Sequence, residues 1–346
     1  MADYPFLHPA FWDALESGGA ATPEKGWRAQ HIQVGDGWLP AYLKSHNRGE
    51  YVFDHAWANA YAEHGLDYFP RLVSAVPFTP ITGPRWRGNF QLADLRSAVM
   101  ETLAQTGASS WHLLFPDEQT REALQEWPLA ERLGCHFRWF NRDYQDFDHF
   151  MQALTSRRRK AIRKERQGVA AQGLTVSRAV GVAIPESWWQ HFYQCYAATY
   201  LKRGQMPYLT PAFFELLRRS ELLEQLMLVV AYRGEALVAA AFYLFDDERL
   251  YGRYWGCLQE CDGLHFELCY YQGIAFACER GLVEFDPGVQ GEHKILRGFE
   301  PVITRSLHWI REPAFRRAIE DFCVRESAAV RAYRDEATAL LPYRQT

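Results

Sequence analysis

Residues 249–309 constrain the fold more than any other segment of this chain. The segment has the apolar runs of core structure, such as LYGRYWG and YYQGIAFACERG, yet it also concentrates Arg, His, Glu, Tyr, Gln, Lys and Trp. Each buried polar group that is left unpaired costs about 1–3 kcal/mol, so a fold that needed only packing would have little reason to bring these side chains together. We therefore interpret this segment as a site that is built on core elements.

Length and charge narrow the class of protein. The 346 residues suffice for two domains, and a 48% hydrophobic composition supports a true core. The net charge of −4 gives no global attraction to nucleic acid or anionic lipid, so any polyanion needs a local basic patch. The seven cysteines form no CxxC motif, and the chain has neither a secretory signal at its start nor an apolar run long enough to span a membrane. We expect a cytoplasmic protein with reduced thiols, no membrane span and no metal.

The two halves of the chain have the same coarse pattern, which predicts an α/β (α+β) fold of two units. Each half reads as a hairpin, a strand, a helix, a strand, a polar loop and a further strand. Each unit should hold a mixed, mostly antiparallel sheet flanked by helices. The predicted elements are strands 29–34, 38–44 and 72–76, helix 90–106 and strand 110–115 in the first half, then strands 226–232, 236–245 and 249–255, helix 264–280 and strand 283–285 in the second. The predicted domains are 1–153 and 154–312, with a final helix at 313–346 that packs back on the first.

Several motifs in this pattern resemble a known family. They are LVAAAFYL, LYGRYWG, LHFELCYYQGIAFACERG, VEFDPG and QGEHKILRGF in the second half, with RLVSAVPFTPITGPR at 71–85 and LTSRRRKAIRKER at 154–166. Together they resemble the FemAB-like branch of the GNAT superfamily, predicted N-acyltransferases that are described as peptidoglycan biosynthesis or recognition proteins. The resemblance covers almost the whole chain.

The resemblance implies two tandem GNAT-like domains and an acyl transfer reaction. The better-known Fem ligases move an aminoacyl group from aminoacyl-tRNA to the amine of a peptidoglycan precursor. A lysine late in their second domain lies near the reacting groups and is followed by an aromatic-glycine pair. That lysine resembles Lys294, although the pair here reads Gly298-Phe299, in the reverse order. The implied co-substrate is aminoacyl-tRNA, the implied acceptor is a small-molecule or peptide amine, and no cofactor is expected.

Two alternative functions stay open. GNAT enzymes that use acetyl-CoA resemble one another in a Q/R-x-x-G-x-G/A loop whose backbone N–H groups hold a pyrophosphate. This chain has CLQECDGL after LYGRYWG, with one glycine and two acids, which disfavours an acyl-CoA donor without excluding it. The other alternative is a non-catalytic module that binds cell-wall peptide.

The QGEHK sequence at 290–294 and the HFELCYYQ helix at 265–272 hold the candidate catalytic residues. Acyl transfer to an amine needs a positive group for the developing oxyanion and a proton acceptor for the nitrogen. We predict Lys294 for the first role, His293 or Glu267 for the second, and Tyr271 as an acid that shares a helix face with Glu267. The predicted substrate-binding residues are Arg253, Trp255, His265, Tyr270, Gln290, Glu292, Arg297, Thr79, Thr82 and Arg85.

Bland explanations of the same residues remain open. The QGEHK loop could be solvated, the polar helix could be a satisfied core helix, and His265, Glu267 and His293 could instead hold a metal, although no HExxH-type spacing supports that. The loop PFTPITGPR, with its three prolines, is expected to present Thr79, Thr82 and Arg85 as a stiff substrate wall.

A basic run follows residue 155. We predict that it holds the phosphates of tRNA or another polyanion, while a solvated face is the usual explanation of such runs. Its cations surround a single acid, Glu165, and are Arg157, Arg158, Arg159, Lys160, Arg163, Lys164 and Arg166.

Overall fold

The structure is a computed structural model that describes residues 4–289 and 291–344. The strands are β1 (Trp27–Ala29), β2 (Ile32–Val34), β3 (Gly37–Leu39), β4 (Tyr42–Lys44), β5 (Arg71–Ser74), β6 (Ser110–Leu114), β7 (Ala130–Phe140), β8 (Leu174–Val180), β9 (Leu226–Arg233), β10 (Ala236–Phe245), β11 (Arg249–Cys257), β12 (Glu284–Asp286) and β13 (Glu300–Ile310). The helices are α1 (Pro9–Glu16), α2 (His55–Glu63), α3 (Leu92–Thr106), α4 (Glu118–Ala123), α5 (Phe147–Ala153), α6 (Ser156–Ala171), α7 (Glu186–Leu201), α8 (Pro211–Arg218), α9 (Leu264–Phe266), α10 (Gln272–Arg280) and α11 (Pro313–Ala339).

The chain divides into two compact units that are not continuous in sequence. Unit 1 contains Met1–Ala14, His136–Val302 and Arg334–Thr346, and unit 2 contains Leu15–Cys135 and Ile303–Tyr333. These bounds differ from the predicted division after residue 153, because β7 and β13 each have residues in both units. Three-dimensional contacts, rather than chain order, therefore define the units.

Unit 2 has a sheet in the order β1-β4-β5-β6-β13 and a separate hairpin of β2 and β3. The β5–β6 pair is parallel and the other pairs are antiparallel. Helix α3 connects the two parallel strands, as expected for a crossover. Leu95, Val99 and Leu103 form the buried stripe of α3 and pack against the sheet in one apolar cluster. In a second cluster, Ile319 and Cys323 of α11 pack with residues of α2.

Unit 1 has a sheet in the order β7-β12-β11-β10-β9-β8. Here β11 and β12 are the parallel pair, and the helical segment 264–280 connects them. Residues 226–231 of β9 and 238–245 of β10 are buried without alternation, which is the pattern of strands covered on both faces. Helix α7 packs directly on β11 at Gly256, where a Cβ atom would lie only 1.8 Å from the carbonyl oxygen of Cys195. Glycine is therefore required at that contact.

The predicted hairpin at 29–44 is wrong in detail. It is divided into four short strands, because Pro40 has no N–H for the ladder and separates β3 from β4. On the other side, the Nδ1 atom of His31 accepts a hydrogen bond from the backbone N–H of Ala41 at 3.1 Å and interrupts the ladder there. The other predicted elements quoted above correspond to observed strands and helices within a few residues at each end.

Candidate active site

The carboxyl ends of β11 and β12 define the candidate site in unit 1. These strands are parallel, with Leu250 opposite Phe285. In open sheets, ligands bind beyond the carboxyl ends of parallel strands. Strand β12 ends at Asp286 because the next residue, Pro287, cannot extend the ladder, and Gly288 turns the chain with a φ of 89°. The sequence DPG thus places a carboxylate at the last position of the strand and a sharp turn directly after it.

Lys294 lies in a short 3-10 helix, Glu292–Arg297, that follows this turn. Its residue surface is only 1% exposed, and its Nζ atom donates a hydrogen bond to the carbonyl oxygen of Gly288. Burial lowers the pKa of Lys294 to about 8, although the negative charge of Asp286 opposes part of this effect. The amine that the sequence predicted as catalytic is therefore a buried group that can lose its proton slightly above neutral pH.

Charged side chains from β7, β11 and β12 lie around Asp286. Arg138 Nη1 lies 2.9 Å from Glu284 Oε1, and Arg138 Nε lies 3.5 Å from Asp286 Oδ2. The other oxygen of Glu284 lies 3.7 Å from Arg249 Nε. Burial lowers the pKa of His136 to about 4, while the nearby charge of Asp286 acts in the opposite direction. The site therefore combines buried cations, two carboxylates and a neutral imidazole.

Arg297 connects the 3-10 helix to α6. Its Nε donates to the hydroxyl of Tyr271 at 2.9 Å, its Nη2 to Glu165 Oε2 at 2.8 Å, and its Nη1 to the carbonyl oxygen of His293 at 2.8 Å. Its guanidinium carbon lies 3.4 Å from the ring centroid of Phe266. The structure thus accounts for Arg297 as an internal anchor, and its predicted contact with substrate stays a prediction.

Four predicted site residues form one aromatic group. The hydroxyl of Tyr270 lies 2.8 Å from Nε2 of His293, and the ring of His265 lies edge-on to Trp255 and Tyr270, with centroid distances of 5.3 and 5.2 Å. Burial and nearby cations lower the pKa of His265 to about 4, and the same causes lower the pKa of His293. Both imidazoles are therefore neutral near pH 7 and able to accept a proton.

The segment between α9 and α10 is a π-helical turn, Glu267–Tyr271, inside one continuous helix. Gln272 Nε2 donates to Glu267 Oε1 at 2.8 Å, a contact between residues five apart. The predicted i, i+4 pairing of Glu267 with Tyr271 is therefore wrong, because the wide turn changes the spacing of the helix face. Tyr271 instead donates a hydrogen bond to Glu165.

Glu267 is held by Arg166 of α6. Nε and Nη2 of Arg166 contact the two carboxylate oxygens, each at 3.0 Å. Both oxygens are occupied, so the geometry does not support Glu267 as the proton acceptor. The alternative metal site of His265, Glu267 and His293 also lacks support, because no group of three or more His, Cys, Asp or Glu could hold a metal among the described residues.

The basic helix α6 divides its cations between two faces. Ile162 and Val169 form its buried stripe. Beside that stripe, Arg166 binds Glu267, and Arg159 donates to the carbonyl oxygen of Leu154 at 2.6 Å. Arg158 is half-buried. The remaining cations are exposed on the face opposite the stripe, and we call them the basic face: Arg157, Lys160, Arg163 and Lys164.

The loop 77–85 lies in unit 2 and holds its polar side chains against its own backbone. Thr79 Oγ1 donates to the carbonyl oxygen of Pro77 at 3.0 Å. Arg85 donates to the carbonyl oxygens of Gly83 and Ile81, both at 2.9 Å. Both residues are buried, so the structure accounts for them as braces of the loop. Their contact with a substrate, and that of the half-buried Thr82, stays a prediction.

The remaining predicted residues have mixed positions. Trp255 faces His265, whereas Tyr254 contacts Tyr196 with a centroid distance of 5.4 Å, so neighbouring residues of β11 face opposite sides as predicted. Arg253 is half-buried, and Glu292 is exposed. Gln290 lies outside the described residues. A groove of about 790 Å³ between α7 and α8 includes none of the predicted site residues in its lining.

Sequence analysis missed four residues of the site: His136, Arg138, Glu165 and Asp286. Asp286 carried a local signal, since an acid directly before Pro-Gly at a strand end is well placed for a site. His136 and Arg138 carried none, because they belong to a strand far away in the sequence. Glu165 was hidden as the single acid of a basic run.

Comparison with known families agrees with this geometry. The family described as peptidoglycan biosynthesis/recognition, FemAB-like, matches residues 1–345. The chain belongs to the FemAB-like family. The family assignment and the mixed α/β fold of tandem GNAT-like units, both expected from the sequence, are confirmed. No protein of curated function matches the sequence.

Solved structures share the fold of this FemAB-like chain at low sequence identity. L-PGS from Bacillus licheniformis is 11% identical with a TM-score of 0.54, covering 88% of this chain and 92% of that one. FemX is 11% identical with a TM-score of 0.52, covering 92% and 95%. The C-terminal domain of a putative lysylphosphatidylglycerol synthetase from Agrobacterium fabrum is 12% identical with a TM-score of 0.52, covering 91% of each chain. Within the described residues, no helix has the length and apolar character needed to cross a membrane.

Proposed function

We propose that this FemAB-like protein is an acyltransferase that moves an aminoacyl group from aminoacyl-tRNA to a primary amine, such as that of a peptidoglycan precursor. In this reaction the amine nitrogen attacks the ester carbonyl carbon. The new C–N bond forms as the C–O bond to the ribose breaks. The amine gives one proton to a base, and the ribose oxygen takes one.

The buried ammonium of Lys294 at the carboxyl ends of β11 and β12 carries this proposal. A positive charge in a water-poor site stabilises the oxyanion that forms on the ester carbonyl, and one such donor is worth about 2.7–4 kcal/mol. The match of nearly the whole chain to a peptidoglycan family supports an amine acceptor from that chemistry.

His293 is the best placed proton acceptor among the predicted bases. It is adjacent to Lys294, partly exposed, and neutral near pH 7 because burial lowers its pKa. Its hydrogen bond with Tyr270 orients the ring. Glu267 is less suitable, because Arg166 occupies both of its oxygens.

The basic face of α6 is the proposed contact for the tRNA backbone. Its four cations stand on the solvent side, and the single acid of the helix, Glu165, is directed instead to Tyr271 and Arg297. No acid of α6 therefore offsets the charge of that face. Contacts of this kind fix the position of a nucleic acid without reading its sequence.

The first experiment measures transfer from radiolabelled aminoacyl-tRNA to a peptidoglycan precursor that has a free amine. Lys294→Met should reduce the rate by a factor of about 10² to 10³. Lys44→Met is the matched control, since Lys44 is the other buried lysine among the described residues and lies in unit 2. It should keep the wild-type rate per folded molecule.

Three results would overturn the proposal in distinct ways. Equal activity of Lys294→Met and the wild type would remove Lys294 from the reaction. Transfer from acyl-CoA, but from no charged tRNA, would replace the donor. Binding of the precursor without product from either donor would identify a binding module.

A salt titration tests the basic face separately. Replacing Arg157, Lys160, Arg163 and Lys164 with glutamine should weaken tRNA binding and reduce the slope of log affinity against log salt by about three. Arg219→Gln, which removes a surface arginine of α8, is the control. An unchanged slope would exclude the basic face as the phosphate contact.

A further inference from the structure

Asp286 is the buried carboxylate that is connected to Lys294 through the backbone. Its residue surface is 2% exposed. Oδ1 accepts the N–H of Gly288 at 2.9 Å, and the carbonyl of the same Gly288 accepts the hydrogen bond from Lys294 Nζ. One glycine residue therefore joins the carboxylate to the ammonium.

The second oxygen of Asp286 is not used for packing the turn. Oδ2 has no hydrogen-bond partner within residues 4–289 and 291–344, and Arg138 Nε lies 3.5 Å away. Glu284, the other carboxylate of β12, contacts Arg138 more closely, at 2.9 Å, and also lies 3.7 Å from Arg249. Glu284 is thus the main partner of the arginines, which leaves the charge of Asp286 for Lys294.

We propose that Asp286 is the positioning residue of the site: its carboxylate fixes the Gly288 turn against Lys294 and keeps that amine in its charged form. Other groups with an electrostatic effect here are the cations Arg138 and Arg253, the imidazole of His136 and the thiol of Cys269. The carboxylate opposes the effect of burial on the pKa of Lys294. Only the consequence for the reaction rate rests on the proposed function; the effect on Lys294 is independent of it.

The small number of lysines makes this measurable without an activity assay. The chain has six, namely Lys25, Lys44, Lys160, Lys164, Lys202 and Lys294. Four are exposed, and burial lowers the pKa of Lys44 to about 7. In a protein with ¹⁵N-labelled lysine, NMR titration should show two lysines that titrate well below the others, at about pH 7 and about pH 8.

The test compares two isosteric changes on β12. Asp286→Asn keeps an oxygen for the N–H of Gly288 but removes the charge, and it should lower the titration midpoint of Lys294 by about one pH unit or more. Glu284→Gln removes the neighbouring charge and should move the midpoint less. Lys44 should not move in either variant and serves as the internal reference. An unchanged Lys294 midpoint in a folded Asp286→Asn protein would overturn the proposal.

A second measurement uses a protein with the native Asp286, in case the variant does not fold. The carboxyl ¹³C signal of Asp286 should shift as the pH passes the midpoint of Lys294, and this step should vanish in Lys294→Met. A signal without that step would contradict the coupling.

The activity assay adds an independent readout. If Lys294 acts as a cation, the alkaline limb of the rate should move to lower pH in Asp286→Asn. A shifted NMR midpoint without transfer activity in the wild type would leave the positioning role intact and reject the proposed reaction.

Discussion

The two parallel strand pairs of this molecule have the same backbone plan but opposite chemistry at their carboxyl ends. In unit 1 the second strand ends at Asp286-Pro287, and in unit 2 it ends directly before Phe115-Pro116. Asp286 lies among charged groups, whereas Phe115 packs in an apolar cluster with Val73, Ala75 and Leu114. The repeated plan is therefore used for a polar site in one unit and for packing in the other.

This difference shows that the fold alone does not specify a site. In both units a helix crosses between parallel strands, and a proline ends the second strand. What differs is a single side chain before that proline and the residues that reach it. Phe115 also has a φ of 54°, which is unfavourable for a bulky residue, so its packing offsets a local backbone cost.

Phe115→Ala should have the largest effect on stability. The ring is only 4% exposed, and its removal leaves a cavity that costs about 3–5 kcal/mol. Chemical denaturation measures this loss. The equivalent change in unit 1, Asp286→Ala, removes no apolar volume and should cost less. A smaller loss for Phe115→Ala than for Asp286→Ala would contradict the contrast between the two ends.

Lys294→Met should reverse the usual relation between activity and stability. It abolishes the proposed transfer, yet it replaces a buried ammonium with an apolar side chain and should raise the free energy of unfolding by about 1–3 kcal/mol at pH 7. In the wild type, the folded protein releases the Lys294 proton at a pKa of about 8. The unfolded chain keeps this proton up to a pKa of about 10.4.

The unfolded state therefore binds more protons between these values, and wild-type stability should rise with pH across that window. Lys294→Met should lack this rise, which thermal melting from pH 7 to 10 can measure. A variant that is less stable than the wild type at pH 7 would show that Lys294 supports the fold.

Acid should destabilise unit 2 through a pair of buried histidines. The Nδ1 atoms of His112 and His308 lie 2.6 Å apart, and each Nε2 contacts a serine hydroxyl on its own strand. Burial lowers the pKa of both rings well below the usual value. In the unfolded chain each ring gains a proton as the pH falls through about 6.5. Stability present above that pH is thus lost below it, by at most about 2.7 kcal/mol per pH unit for two rings.

Denaturation between pH 7 and pH 5 tests this slope. His308→Asn should reduce it by the share of one ring, or of both if the pair titrates as a unit. His136→Asn in unit 1 is the comparison, since burial lowers its pKa to about 4. A slope that is unchanged in His308→Asn would mean that these rings are already protonated in the folded state.

Tyr270→Phe should have the smallest effect. It removes one hydrogen bond to His293, which is worth about 1 kcal/mol in stability. It should also move the acidic limb of the transfer rate, because the ring that accepts the proton loses its partner. Tyr144→Phe, in the same unit but away from the His293 aromatic group, is the matched control.

The coarse order of elements could be predicted because apolar periodicity and turn residues are local signals. The Ala236–Phe245 strand is predicted at its exact bounds, and the helical segment 264–280 was expected over the same residues. The π-helical turn inside that segment was not, because one extra residue per turn has no signature in the apolar pattern. The predicted partner of Glu267 was wrong for that reason.

The site could be predicted only in part. Lys294, His293, Tyr270 and Trp255 all lie between residues 250 and 300, so a dense polar segment pointed to them directly. Whether a polar group is free or occupied depends on partners elsewhere in the chain. Glu267 and Arg297 looked available in sequence, but Arg166 and Glu165 of α6 engage them.

The sequence alone determined that this chain folds as two similar α/β units, that it belongs with FemAB-like proteins and that a polar site lies in its last third. Those conclusions depend on patterns within short segments. Tertiary structure decided which residues surround Lys294, that its amine is buried, and that the unit boundaries cross chain order. The physical reason is that burial and charge pairing arise from contacts between distant segments, and it is these contacts that set the protonation and the availability of each group.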